Sequence, residues 1–412
     1  MLISVVIPTH NMADFVHYAI DSVLRQTYPQ LEVIVVDDAS EDATAEVVAS
    51  IQDPRLRLVR HRAQRGPSAA RNSGIRTAMG DLIAFLDADD LWLPAKLAQQ
   101  VKVFEQDPQV GLVYCGVHEV DCDLSFLRTP PAGDRWPPAG EAAFERVARR
   151  QPFILAPLSS MVVRRSCFDE VGLFDEAIVQ AEEWDLVLRL SLKWNVHCVP
   201  EPLVLYRMGG YFVPEKRRGR GIFEAHRTTI ERGFSRVDHT PRWRALELEL
   251  LLQNLWSAAL YAYAVGQREE ACLYIEQIVA EDPRWPGLTE PRMVDSVAYA
   301  SLLLYDTVTP LEEALSFIRY VFAHLPASVR PSDRWCGKAL GLACVICAFD
   351  GYPRGEIRRV WQGVFGAIWY DPSWLSNWGL LKLLFKVIPR KRPVVDPLLA
   401  KDAVHSVQEA AG

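Results

Sequence analysis

Three carboxylates crowd the end of one short apolar run: Asp87, Asp89 and Asp90 close the stretch DLIAFLDADD, Asp81 to Asp90, of a 412-residue chain. Leu82 to Asp87 is continuous, apolar and too short to stand as a helix, so it reads as a buried strand running straight into the acids. So many like charges at one strand end repel one another unless a positive group neutralises them. A divalent cation would do so, because hard cations take carboxylate oxygens and leave coordination sites for phosphate. The alternative is a solvated acidic turn in front of a helix from Trp92 to Phe104. A second apolar run, Leu31 to Val36, also ends in acid, at Asp37 and Asp38. In an open parallel sheet ligands sit beyond the carboxyl ends of the strands, where both acidic ends would fall. Two such ends meeting in one crevice are the mark of a nucleotide-plus-metal site.

The elements that must position these acids alternate along the chain. Leu2 to Ile7 is a strand stopped by Pro8, and Asn11 can cap a helix over Met12 to Gln26. After the Leu31 strand come a short helix through Ile51, a strand at Leu56 to Val59, and a helix from Gly66 to Met79. A helix from Trp92 to Gln106 and a strand at Val110 to Val120 follow. This alternation predicts an α/β domain with a mostly parallel sheet and helices on both faces. Phe126 to Gly140, rich in Pro and Gly, reads as a long loop over the site. A strand at Leu158 to Val163, a short helix and turn from Phe168, an amphipathic helix from Ala181 and a strand at Val196 to Tyr206 complete the domain. Pro214 to Gly221 reads as a mobile basic loop.

The expected division is an α/β domain over 1–221, a linker over 222–240 and an all-α domain over 241–412. In the last, three helical hairpins are expected at a spacing of roughly forty-five residues, loosely resembling tetratricopeptide hairpins and offering a platform for a protein partner. The formal net charge of -7 argues against nucleic acid as a partner, since a general binder needs a basic stripe. No apolar run reaches membrane-spanning length and no signal peptide is visible, so a cytoplasmic location is expected. Cys344 and Cys347, inside ALGLACVICAF, read as buried helical thiols and not as a metal or redox pair.

Residues 1 to about 210 resemble the family 2 glycosyltransferases, inverting enzymes of the GT-A fold. The resemblance rests on an ordered set of motifs: VVIPTHN at 5–11, VVDDAS at 35–40, GPSAARNSGI at 66–75, FLDADD at 85–90, GLFDE at 172–176 and EEWDLVLRL at 182–190. It implies transfer of a sugar from a nucleotide-diphosphate donor, UDP-linked, to the hydroxyl of a glycan, a lipid-linked sugar or a protein, with Mn²⁺ or Mg²⁺ as cofactor. Residue by residue, it implies that Pro8 and Thr9 line the nucleotide pocket and that Asp38 bonds the base. Arg71 would sit beside the nucleotide, Asp87 would hold the ribose and Asp89 the metal. The family's catalytic acid falls on Glu183, where a Glu stands for the usual Asp; its carboxylate can still take a proton from an acceptor hydroxyl. The histidine many relatives carry just beyond Arg207 is absent, so either Arg207 with Lys216, Arg217, Arg218 and Arg220 would neutralise the departing diphosphate, or the metal would have only Asp89 and phosphate oxygens; the basic loop also reads as a solvated linker. Each has a structural alternative: a strand end at Pro8, a helix cap at Asp37 or Asp38, a surface ion pair at Arg71, and at Glu183 an acidic first turn favoured by the helix dipole. A nucleotide-sugar-binding adaptor without turnover is the competing function.

One further stretch stands apart. On a helical wheel WLSNWGLLKLLFKVI, Trp374 to Ile388, places Trp374, Trp378, Leu381, Leu384, Phe385 and Ile388 on one broad face, with basic residues through Arg392 behind it. It reads either as a helix lying in the interface of the inner membrane leaflet or as the cap of the helical array.

Overall fold

The computed structural model describes residues 1–130, 136–149, 157–178, 180–208, 220–303, 310–329, 331–351 and 356–386. The chain forms two compact units, one over Met1–His239 and a second beginning at Thr240.

The first unit is α/β. Its strands are β1 (Ile3–Thr9), β2 (Leu31–Asp37), β3 (Leu56–Arg60), β4 (Leu82–Phe85), β5 (Leu91–Trp92), β6 (Val110–Val120), β7 (Phe126–Arg128), β8 (Val162–Arg164) and β9 (Asn195–Arg207). Its helices are α1 (Val16–Leu24), α2 (Thr44–Ser50), α3 (Pro67–Thr77), α4 (Lys96–Gln106), α5 (Glu141–Ala148), α6 (Arg165–Val171), α7 (Glu182–Ser191) and α8 (Arg220–Phe234). One sheet orders them β3-β2-β1-β4-β8-β6-β9-β5, with β7 against β6. The first four pair in parallel, while β8 is antiparallel to both β4 and β6. Strand β9 is then parallel to β6, which sets β1, β2, β4, β6 and β9 all pointing one way. Their carboxyl ends, at Thr9, Asp37, Phe85, Val120 and Arg207, therefore lie along one edge of the sheet. Ile3, Val5, Ile7, Val33, Val35, Leu82 and Ala84 are fully buried in one core with Ala19, Ile20 and Val23 of α1. Strands covered on both faces read as unbroken apolar runs, which is why their positions were legible.

Several boundaries differ from expectation for local reasons. Helix α1 begins at Val16, because Asn11 takes φ 53° and spends its side-chain oxygen on the Glu41 amide, across the next loop. Leu91 and Trp92 pair with β9 before α4 begins. Leu158–Ser160 is a 3-10 turn, with β8 starting only at Val162. The Pro/Gly-rich stretch is not one unbroken loop. It opens with β7 on the carboxyl end of β6, and at 136–140 it is fastened to the other end of the sheet: Trp136 Nε1 donates to the Tyr114 hydroxyl, and the Ala139 amide to Asn195 Oδ1. Residues 131–135 lie outside the described residues. The expected linker at 222–240 holds most of α8, which packs on α7 with Phe234 edge-on to Phe144 of α5.

The second unit is helical: α9 (Pro241–Ala264), α10 (Arg268–Glu281), α11 (Glu290–Leu303), α12 (Leu311–Ala323), α13 (Asp333–Gly351), α14 (Ile357–Tyr370) and α15 (Trp378–Lys386). Helix α9 packs on α10 and α13 on α14, while α11 and α12 each pack on α13 as well as on one another, around one apolar core. Cys344 and Cys347 are buried free thiols within α13. Among the described residues, no helix is long and apolar enough to cross a membrane. The helix expected from Trp374 is broken: Pro372–Ser376 is a 3-10 turn, and Asn377, whose side chain accepts from the Leu380 amide, starts α15 afresh. Leu380 and Leu383 are its buried side, a different face from the one the wheel selected.

Candidate active site

The edge formed by the strand ends is built from the backbone outward. Thr9 lies opposite Asp37 in the parallel register, and the Asp38 amide donates to the Thr9 carbonyl, 2.8 Å. Pro8 is half-buried and Thr9 buried, with its hydroxyl unpartnered. Asp37 accepts from the Ser40 amide and from Arg60 Nε, both at 3.0 Å, which turns the chain into α2. Asp38 accepts from the Arg65 amide, from the Gly66 amide at 2.7 Å and from His61 Nδ1 at 2.6 Å. These contacts occupy both carboxylate oxygens. Asp38 thus organises the loop at 61–66 that enters α3, and the expected bond to a nucleobase finds its lone pairs already engaged.

Helix α3 carries the pair that assembles the rest. Asn72 donates to the Phe174 carbonyl (2.9 Å) and Glu176 Oε1 (3.0 Å) and accepts from the Phe174 amide (3.0 Å), clamping the turn after α6. Gly172 there takes φ 83°, and Arg189 of α7 caps the turn by donating to the carbonyls of Val171, Gly172 and Leu173. Beside Asn72, the buried Arg71 guanidinium joins two segments of the chain: Nη2 to Asp87 Oδ1, 2.8 Å, and Nη1 to Glu182 Oε1, 2.7 Å. Burial works against its charge, but Asp87 and Glu182 outweigh that penalty and hold the guanidinium protonated. Arg71 is therefore no surface partner; it fixes the first turn of α7 against the end of β4.

Beyond β4 the acids share out their partners. Asp90 is buried, accepting from the Ser159 hydroxyl (2.5 Å) and the Arg207 amide (3.0 Å). Burial, then Asp89 and Asp87, push its carboxyl well above the usual range. Asp87 is a third exposed and held by Arg71 through one oxygen. Arg207 does not reach outward: Nε donates to the Asp89 carbonyl at 2.6 Å, Nη1 donates to the Cys122 carbonyl, and the group lies over the Phe15 ring. It braces the acidic turn, so the expected diphosphate contact is replaced by a main-chain role. Lys216, Arg217 and Arg218 lie outside the described residues, as does the Arg220 side chain.

Asp89 is the acid left over. Among the described residues no other side chain bonds to its carboxylate, which meets its own backbone amide and the charge of Arg207; burial and the charge of Asp87 outweigh these and raise it to about 6. No group of three His, Cys, Asp or Glu side chains forms a protein-only metal cage among the described residues. Asp89 fits a cation of the kind that takes one carboxylate and completes its shell with phosphate and water, as Mg²⁺ does.

The other side of the crevice is α7. Ala181, in the left-handed conformation at φ 63°, swings the chain so that Glu182 turns inward to Arg71 while Glu183 stays half-buried. Tyr206 marks the convergence and was not singled out in the sequence. Burial and the charges of Asp90, Asp87, Asp89 and Glu183 all raise its hydroxyl above the ordinary tyrosine value. Its only sequence signal was its place beside Arg207 at a strand end. Ser159, which ties Asp90 to the Asp87 amide, had none.

A family model described as Glycosyl transferase family 2 matches residues 4–172. An uncharacterized glycosyltransferase of Nostoc sp. is 39% identical over 217 residues, 51% of this chain and 66% of that protein. The amylovoran biosynthesis glycosyltransferase AmsB of Erwinia amylovora is 33% identical over 50% of this chain and 69% of its own. A UDP-Glc:alpha-D-GlcNAc-diphosphoundecaprenol beta-1,3-glucosyltransferase of Escherichia coli, WfaP, is 35% identical over 26% of this chain and 42% of its own. The matches to the first curated relatives span just under two thirds of those proteins, 64% to 66%.

Proposed function

Because the chain belongs to glycosyl transferase family 2, we propose that its α/β unit transfers a sugar from a UDP-linked donor to an acceptor hydroxyl, inverting the anomeric carbon. The observation that carries this reading is that Arg71 ties Glu182 to Asp87, which sets the first turn of α7, with Glu183, beside the acids beyond β4. A base on one wall then faces a diphosphate site on the other. The UDP donor and a lipid-linked glycan acceptor are favoured by the activity for which the Escherichia coli relative is named, and a biosynthetic role by the amylovoran biosynthesis of the Erwinia relative.

In this scheme the acceptor enters beside Glu183, whose carboxylate takes its hydroxyl proton. The freed oxygen attacks the anomeric carbon from the side opposite the diphosphate. The carbon–oxygen bond to the diphosphate breaks, and its electron pair leaves on UDP. Thr9, with its unpartnered buried hydroxyl, and Pro8 line the nucleotide side. The Asp87 oxygen not held by Arg71 serves the ribose. Asp89 would hold a divalent cation, Mn²⁺ or Mg²⁺, which would supply charge neutralisation for the leaving diphosphate. Arg71 keeps both walls in register.

The test is a donor panel read by nucleotide release with Mn²⁺ or Mg²⁺, with product anomers assigned by NMR. Transfer from a UDP-sugar with inversion is expected; saturable binding with no release against glycan and lipid-linked acceptors would leave the adaptor reading in its place. The cation role has its own check. UDP is expected to raise the melting temperature more with Mn²⁺ than with EDTA, and Asp89→Asn to erase that difference while leaving the unliganded melt unchanged. Equal stabilisation with and without metal would remove Asp89 from the scheme.

A further inference from the structure

In the helical unit, large apolar side chains stand exposed together on α14 and the segment after it. Trp361, Phe365 and Trp369 follow at four-residue intervals and so form one row along the helix. They are 44%, 54% and 81% exposed, whereas Val360, Val364 and Ala367 of the same helix are wholly buried in the core. The Trp361 and Phe365 rings lie 5.6 Å apart, covering each other in part. Leu375 and Trp378 carry the exposure onward, Trp378 at 71%, and α15 packs against α14. Singly exposed apolar residues need no explanation, but a contiguous aromatic row marks an interaction surface.

The charge around this row points to one class of occupant. Arg358 lies one turn before Trp361 on the same face, and Lys382 one turn after Trp378; both are exposed. From Ile357 to Arg392 the sequence places Arg358, Arg359, Lys382, Lys386 and the run Arg390 to Arg392 against the single acid Asp371, in a chain of net charge -7. A net-basic stretch of an acidic protein thus coincides with exposed tryptophans. Tryptophan favours the headgroup layer, where an apolar ring and a polar N–H are both satisfied, and basic residues are drawn to anionic lipid.

We propose that the exposed row of α14, continued by Trp378, is a docking surface for an anionic membrane, with aromatic rings at headgroup depth and Arg358 and Lys382 meeting lipid phosphates. This differs from the wheel-based expectation, because α15 spends Leu380 and Leu383 on the core and α14 supplies most of the exposed aromatics. The proposal does not rest on the transferase reading, since the binding needs no donor and no turnover.

The experiment is flotation of the full chain with phosphatidylcholine vesicles carrying a quarter phosphatidylglycerol, beside pure phosphatidylcholine vesicles. Binding to the anionic vesicles only, weakened by high salt, is expected. The triple variant Trp361→Ser, Phe365→Ser, Trp369→Ser is expected to lose about tenfold or more in partitioning. The pair Arg358→Glu and Lys382→Glu should lose the preference for anionic lipid. If the triple variant melts early, Trp369→Ser alone serves, its ring being the most exposed of the three. Three results would overturn the proposal. One is a triple variant that floats like the wild type, and another is a wild type that does not float. The third is a concentration-dependent dimer, seen by sedimentation without vesicle binding and abolished by the triple change, which would assign the row to a second copy of the chain.

Discussion

Glu183→Gln is expected to abolish transfer while leaving UDP-sugar binding intact. The amide fills the same space but cannot accept the acceptor's proton, and loss of a general base typically costs about 10²–10⁴-fold in rate. The loss should fall on kcat, with the donor dissociation constant within a factor of about three of wild type. The neighbouring change makes the comparison decisive. Glu182 is buried against Arg71, and Glu182→Gln retains an oxygen to accept from Nη1. That variant is expected to keep most activity and to melt a few degrees lower. A dead Glu182→Gln beside an active Glu183→Gln would transfer the base to the Arg71-paired carboxylate and remove the present assignment.

Arg71→Met is expected to have the largest effect on the fold of the α/β unit. It leaves Glu182 and Asp87 facing each other without their shared cation, beside Asp89 and Asp90. Removing one partner of a buried ion pair costs roughly 3–5 kcal/mol, which for a unit of this size lowers the melting temperature by about 10 °C. Donor binding should weaken as well, because α7 and the end of β4 lose the strut that sets their spacing. Arg71→Lys restores charge but not the two-pronged reach, so it should recover part of the stability and little of the binding. A Met variant that melts and binds like the wild type would show that the Asn72 clamp alone sets that spacing.

Much of this protein was written locally. Strands β1, β2 and β6 were legible because each is an unbroken apolar run, the signature of a strand covered on both faces, and β6 falls on the expected residues, Val110–Val120. The acids Asp87, Asp89 and Asp90 were legible because such clustering has few causes. The α/β class followed by helices was legible from the change in hydrophobic period near Pro241. The identity of each carboxylate's partner was not. Asp38, Asp89 and Glu183 are alike in sequence as acids at element ends. Only the fold gives the first its backbone amides, leaves the second without a partner side chain among the described residues, and turns Glu182 instead of Glu183 toward Arg71. Arg71 and Glu182 are 111 residues apart, and the link depends on Ala181 adopting a left-handed backbone and on Asn72 holding Phe174. The same holds for the aromatic row. A wheel drawn for one helix cannot say which side its neighbours will cover, and packing against the α13–α14 core chose Leu380 and Leu383 for the inside of α15. Local sequence sets the propensity and period of each element. Which polar group meets which, and which apolar face remains outside, are long-range properties that burial decides only when the chain is assembled.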